Sequence, residues 1–162
     1  MVLKGDSSLL NGRKPMFRPD WTNELSVTPC LIVRISRLGK EIAPRFAERY
    51  YDALALGADF TALDAWREAV ESGASWTRAI AFDYSLAIGA WLEKAEDIQA
   101  AREQREWLMT VEEAIAEASR YMTIRQGDLI YIQSRETPHR VERDEILSYE
   151  INGAETLYCK IK

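Results

Sequence analysis

VTPCLIVRIS, residues 27–36, is the stretch whose reading decides the fold. It is dense in β-branched and aliphatic side chains and contains no helical stripe, so it reads as a strand. Pro29 inside it has no amide proton to give to a ladder, which predicts an edge, a bulge or a local bend at that point. Downstream, RLGK turns the chain. Ile42, Phe46, Tyr50, Ala53 and Leu54 then fall at helical spacing, so residues 41–56 are expected as a helix with Pro44 in its first turn and Gly57 as its stop. Residues 58–62 suit a short buried strand, residues 65–70 a helical turn ended by Gly73, and residues 91–105 a charged helix. A further helix is predicted over 110–121, where Thr110 and Glu113 have the spacing of a capping box. Residues 129–132, 146–151 and 156–161 read as strands, the last two joined by Asn152-Gly153 as a hairpin turn. Before all of this, residues 4–20 are rich in Gly, Ser, Asn and Pro and read as an extended arm with turns. Strands at both ends with helices between them define an α+β protein.

Composition narrows the function classes. The chain has 162 residues, 47% hydrophobic and 29% charged, enough for one core without disulfide staples, and is read as one domain over 1–162. A net charge of -5 argues against a nucleic-acid partner. No run of about 18 apolar residues is present to span a membrane. Two cysteines, Cys30 and Cys159, make no disulfide framework, and a reducing cytoplasmic setting is expected. No nucleotide-binding, Walker-type or GxSxG fingerprint occurs. Cys30, Cys159 and the single histidine, His139, lack the spacing of a zinc site. Trp66, Trp76, Trp91 and Trp107 are expected as packing residues rather than as the walls of a ligand pocket.

Five phrases, taken in order, resemble the fumarylacetoacetate hydrolase family: LKGDSSLLNGRKP, CLIVRISRLGKEI, GADFTALD, FDYSLAIG and VEEAIAEASRYMTIRQGDLI. Their succession covers nearly the whole chain. The resemblance implies a mixed β-sandwich roll with peripheral helices, shortened at the N-terminus and in the middle, and usually dimeric. It implies Mg²⁺ or Mn²⁺ chemistry on 2-oxo or 2,4-dioxo acids, in which a hard divalent ion held by carboxylates polarises the substrate's oxygens.

The residues at the implied positions depart from that chemistry. The two glutamates of the family's Glu-x-Glu strand fall on Thr28 and Cys30, its third carboxylate on Asp59, and its lysine on Ile80. Leu63 replaces an arginine, Gln133-Ser134-Arg135 stands where a Gly-Thr-Pro loop closes the site, and the family's His-Glu segment would precede Met1. Asp59 alone remains as a metal ligand. Thr28, Cys30, Asp59 and Ile80 are thus read as a degenerate site without a catalytic residue and without a cofactor. The expected function is a non-catalytic binding or self-associating protein, most simply a homodimer formed over apolar sheet surface that the shortening uncovers. The alternative is an enzyme of the family type, a C–C hydrolase, decarboxylase or isomerase acting on a small 2-oxo acid, with a site rebuilt around Asp59 and Mg²⁺ or Mn²⁺.

Overall fold

In a computed structural model that describes residues 1–162, the chain runs β1 (Leu9–Asn11), β2 (Leu25–Ile35), β3 (Tyr51–Ala62), α1 (Leu63–Ser72), α2 (Thr77–Ile80), β4 (Leu86–Ile88), α3 (Ala95–Glu103), α4 (Val111–Tyr121), β5 (Leu129–Gln133), β6 (His139–Arg140), β7 (Ile146–Ile151) and β8 (Ala154–Lys160). Six strands form one mixed sheet in the order β1-β4-β3-β2-β5, with β6 also paired to β2. The strands β7 and β8 make a separate two-stranded sheet. Only β1 and β4 are parallel within the large sheet. The α+β architecture expected from the sequence is therefore present.

β2 and β3 are the spine. They pair antiparallel from Leu25↔Ala62 to Ile35↔Tyr51, and almost every residue of both is buried. One face of β2 sends Leu31, Val33 and Ile35 into a core shared with Leu54, Leu56, Ile115 and Ile132. The opposite face carries Cys30 and Ile32, packed with Ala55, Leu86 and Ile88. The expectation that shortening uncovers apolar sheet surface is not met on these two strands. Large apolar side chains are exposed instead on helices and loops, including Trp66 and Trp76, which are not packing residues, whereas Trp91 and Trp107 are.

The helix expected over residues 41–56 is not formed. A short 3-10 turn, Pro44–Arg49, is followed directly by β3. The helical spacing of Ile42, Phe46 and Tyr50 is coincidental: Phe46 is exposed, and the run YYDALALGADFTA is buried on both faces, as a central strand must be. Gly57 is not a helix stop but lies in mid-strand opposite Cys30. A Cβ on it would lie 2.5 Å from Ile32 Cδ1, 2.9 Å from Cys30 Sγ and 2.9 Å from the Ala87 carbonyl oxygen, so only glycine lets these strands close up.

Pro29 also sits in the sheet interior, with no register shift at its position; the register shift of β2 lies at Arg34/Ile35. Its carbonyl accepts from Ser134 N at 2.8 Å, so its missing donor faces the same flank, where the partner changes from β5 to β6. The ladder is already interrupted there, which explains why a proline is tolerated. Other readings hold as stated. α4 begins with a capping box in which Thr110 Oγ1 accepts from Glu113 N at 3.2 Å and Glu113 Oε2 accepts from Thr110 N at 2.8 Å. Gly73 ends α1 with φ 68°, and Asn152 and Gly153, both at positive φ, turn β7 into β8.

Candidate functional site

Antiparallel register places Thr28 directly opposite Asp59, and Cys30 opposite both Gly57 and Gln133. Side chains of directly opposed residues share a face. Thr28, Cys30, Asp59 and Gln133 therefore lie together on the face away from the main core. All but Gln133 are buried. The three positions implied by the resemblance, Thr28, Cys30 and Asp59, thus share one face of the β2–β3 pair.

Two further side chains complete the cluster, and neither was assigned a role from sequence. Lys4, on the N-terminal arm, places its ammonium 2.8 Å from Asp59 Oδ1, and both side chains are nearly closed to solvent, at 4% and 5% exposure. Gln133 donates from Nε2 to Asp59 Oδ2 at 2.7 Å. Tyr131, two residues earlier on β5, lies under the ammonium, its ring centre 5.8 Å away. Ile80 takes part through its backbone only: its carbonyl accepts a hydrogen bond from Lys4, while its side chain packs with Ala62, Ala65 and Ala79. Ser85 supplies two more acceptors to Lys4, its hydroxyl at 3.0 Å and its carbonyl at 3.2 Å.

Electrostatics follow from burial. Desolvation pushes the Asp59 carboxyl above the ordinary carboxylate range, and Lys4 and Gln133 pull it back. Desolvation, and then the charge on Asp59, hold the Cys30 thiol well above its usual value, which favours its neutral form. Tyr131 is raised for the same reasons, burial first and Asp59 second.

This donor set does not fit a divalent ion. Mg²⁺ or Mn²⁺ asks for several oxygen ligands, mostly carboxylates. Around Asp59 stand a threonine hydroxyl and a protonated thiol, and the carboxylate already has Lys4 on one oxygen and Gln133 on the other. Nowhere does the chain gather three or more His, Cys, Asp or Glu side chains able to hold a metal ion. Two depressions of the surface lie away from Asp59. One, of about 670 Å³, lies between α4 and the segment before the 3-10 turn, lined by Ile42, Pro44 and Arg120. The other, of about 370 Å³, surrounds Arg105, Trp107 and Arg135 on the far side of β2.

A second aspartate, Asp64, closes the same sequence segment and has a structural task. It accepts from Thr22 Oγ1 at 2.6 Å, Asn23 N at 2.9 Å and Ala65 N at 2.9 Å, fastening the chain before β2 to the start of α1.

A mixed sheet of this order, closed against a small second sheet and carrying a buried aspartate on its central strand pair, defines a class of α+β rolls. The chain belongs to the fumarylacetoacetate hydrolase family: the family's model, described as fumarylacetoacetate (FAA) hydrolase C-terminal, matches residues 1–108. Among curated relatives, the mitochondrial oxaloacetate tautomerase FAHD1 of Mus musculus is 24% identical over 178 residues, spanning 100% of this chain and 80% of the relative. Among solved structures, fumarylpyruvate hydrolase from Pseudomonas aeruginosa, in complex with Mn²⁺ and pyruvate, superposes with a TM-score of 0.84 at 22% identity, covering 98% of this chain and 76% of that one. A 5-carboxymethyl-2-hydroxymuconate delta-isomerase from Mycobacterium smegmatis gives 0.80 at 18% identity, covering 99% and 67%. At these identities the likeness establishes the fold. No helix of the chain is long and apolar enough to cross a membrane.

Proposed function

We propose that this protein is a non-catalytic member of the fumarylacetoacetate hydrolase family, one domain over residues 1–162 that works by binding or self-association. The observation that carries this reading is the state of Asp59, the one carboxylate left at the implied metal position, whose two oxygens are engaged by Lys4 and Gln133. A carboxylate neutralised by an internal ammonium has no charge left to offer a divalent ion. The neighbouring thiol and hydroxyl supply none. Self-association as a homodimer in the cytoplasm completes the proposal; sedimentation showing only monomer at micromolar concentration counts against it.

A second reading has its own support. The relatives just described carry the names of a tautomerase, a hydrolase and an isomerase, and one of those structures contains Mn²⁺ and pyruvate. Likeness to named proteins weighs towards an enzyme acting on a 2-oxo acid, against what the side chains around Asp59 offer. The two readings separate in one assay. Oxaloacetate and an acylpyruvate are incubated with the protein and Mn²⁺ or Mg²⁺. The non-catalytic reading expects no consumption above the metal-only control and no change with Asp59→Asn. Turnover that Asp59→Asn abolishes establishes the enzyme instead.

A further inference from the structure

The oxygens around Lys4 are arranged as a cation's ligands would be. Asp59 Oδ1 lies at 2.8 Å, Ser85 Oγ at 3.0 Å and the Ser85 carbonyl at 3.2 Å, with the Ile80 carbonyl also in hydrogen-bond contact. These acceptors come from β3, from the end of α2 and from the turn before β4. An ammonium has three protons to donate, and four oxygens face it. Its single charge matches the single carboxylate. A dication in the same place would leave a positive charge uncompensated where desolvation is severe. The arm that delivers Lys4 is itself fixed beside the cage: Tyr84 N donates to the Ser7 carbonyl at 2.9 Å, and β1 pairs with β4 from Leu9↔Leu86 onward.

From this geometry we infer that the old metal position has become a monocation site, filled in cis by the Lys4 ammonium, and that a small primary ammonium ion is the chemical class it accepts when Lys4 is removed. The inference rests on the non-catalytic reading only in that Lys4 and a divalent ion compete for the same carboxylate. It names Lys4 as the residue that locks the arm to the sheet.

The test is thermal unfolding of the full chain, with methylammonium chloride as the probe and sodium chloride and manganese chloride at equal ionic strength as comparisons. Lys4→Ala is expected to lower Tm by roughly 10 °C, the effect of stranding one member of a buried ion pair in a chain of this size. Methylammonium should restore part of that loss, while sodium and manganese should not. Wild type and Lys4→Ala/Asp59→Asn should show no such recovery. The proposal is overturned by a Lys4→Ala protein as stable as wild type, by equal recovery with sodium, or by greater recovery with manganese. Should Lys4→Ala fail to fold, Lys4→Met/Asp59→Asn, which removes both charges, must fold; failure of that variant too overturns the proposal. Metal-dependent turnover of oxaloacetate by wild type that Asp59→Asn leaves unchanged would remove the non-catalytic reading without touching this cycle, so the two can fail separately.

Discussion

Asp59 and Asp64 stand five positions apart in the phrase GADFTALD, and the fold treats them in opposite ways. Asp59 lies on the inner part of β3, shut from solvent, with burial driving its carboxyl up and an ammonium and an amide holding it down. Asp64 lies in the first turn of α1, half-buried. Desolvation is the largest single influence on it, but hydrogen bonds from Thr22, Asn23 and Ala65 together outweigh it, and its carboxyl sits below the usual range. The difference shows what sequence proximity conceals. Asp64, at a helix start, is held by neutral donors only: Ala65 N beside it, and Thr22 and Asn23 from 42 and 41 positions away. A carboxylate in mid-strand depends on whatever distant groups the topology delivers, here residues 4 and 133.

The sharpest way to break the comparison is to remove each aspartate. Asp59→Ala leaves the Lys4 ammonium buried without its counter-charge and should cost about 3–5 kcal/mol in urea unfolding, the loss typical of a broken buried ion pair. A cost near zero would mean that the pair contributes nothing.

Asp64→Ala is expected to cost less, about 2 kcal/mol, because it abandons hydrogen-bond donors but strands no buried charge. Its pH signature has a definite sign. A carboxyl lowered in the folded state contributes stability that is present above the unfolded value of about 4 and is lost as pH falls through the folded value. Asp64→Asn should therefore flatten the acid limb of stability below about pH 4. Asp59 works with the opposite sign: raised in the folded protein, it makes stability fall as pH rises from the unfolded value towards the folded one. An acid limb unchanged by Asp64→Asn would show that its hydrogen bonds do not favour the ionised form.

Thr110→Ala sets a baseline with no buried charge. It removes one half of the capping box of α4 and should cost about 1 kcal/mol by the same unfolding measurement. If it costs as much as Asp59→Ala, burial is not what distinguishes Asp59.

Much of the scaffold could be read from the sequence, for identifiable reasons. The strand over residues 27–36, the helix with its Thr110–Glu113 box and the Asn152-Gly153 turn are local signals, each carried by a few neighbouring residues. The helix expected over residues 41–56 failed because a central strand buried on both faces has no period to display, and Ile42, Phe46 and Tyr50 mimicked one. The site divides along the same line. The meeting of Thr28, Cys30 and Asp59 is implied by the family resemblance alone; the register of β2 against β3 that brings them together is visible only in the structure. Lys4 stood in the quoted phrase LKGDSSLLNGRKP, but its contact with Asp59 spans 55 positions and depends on how the arm crosses the sheet. In the sequence Gln133 marks only a departure from the family's closing loop, and its reach to Asp59 depends on β5 lying beside β2.

The central claim is that an internal ammonium, not a divalent ion, neutralises Asp59. Calorimetric titration of Mn²⁺ into the wild-type protein tests it most directly. No saturable binding is expected up to roughly millimolar metal, the weak end of carboxylate sites. A one-to-one isotherm at micromolar Mn²⁺ that disappears in Asp59→Asn would contradict it.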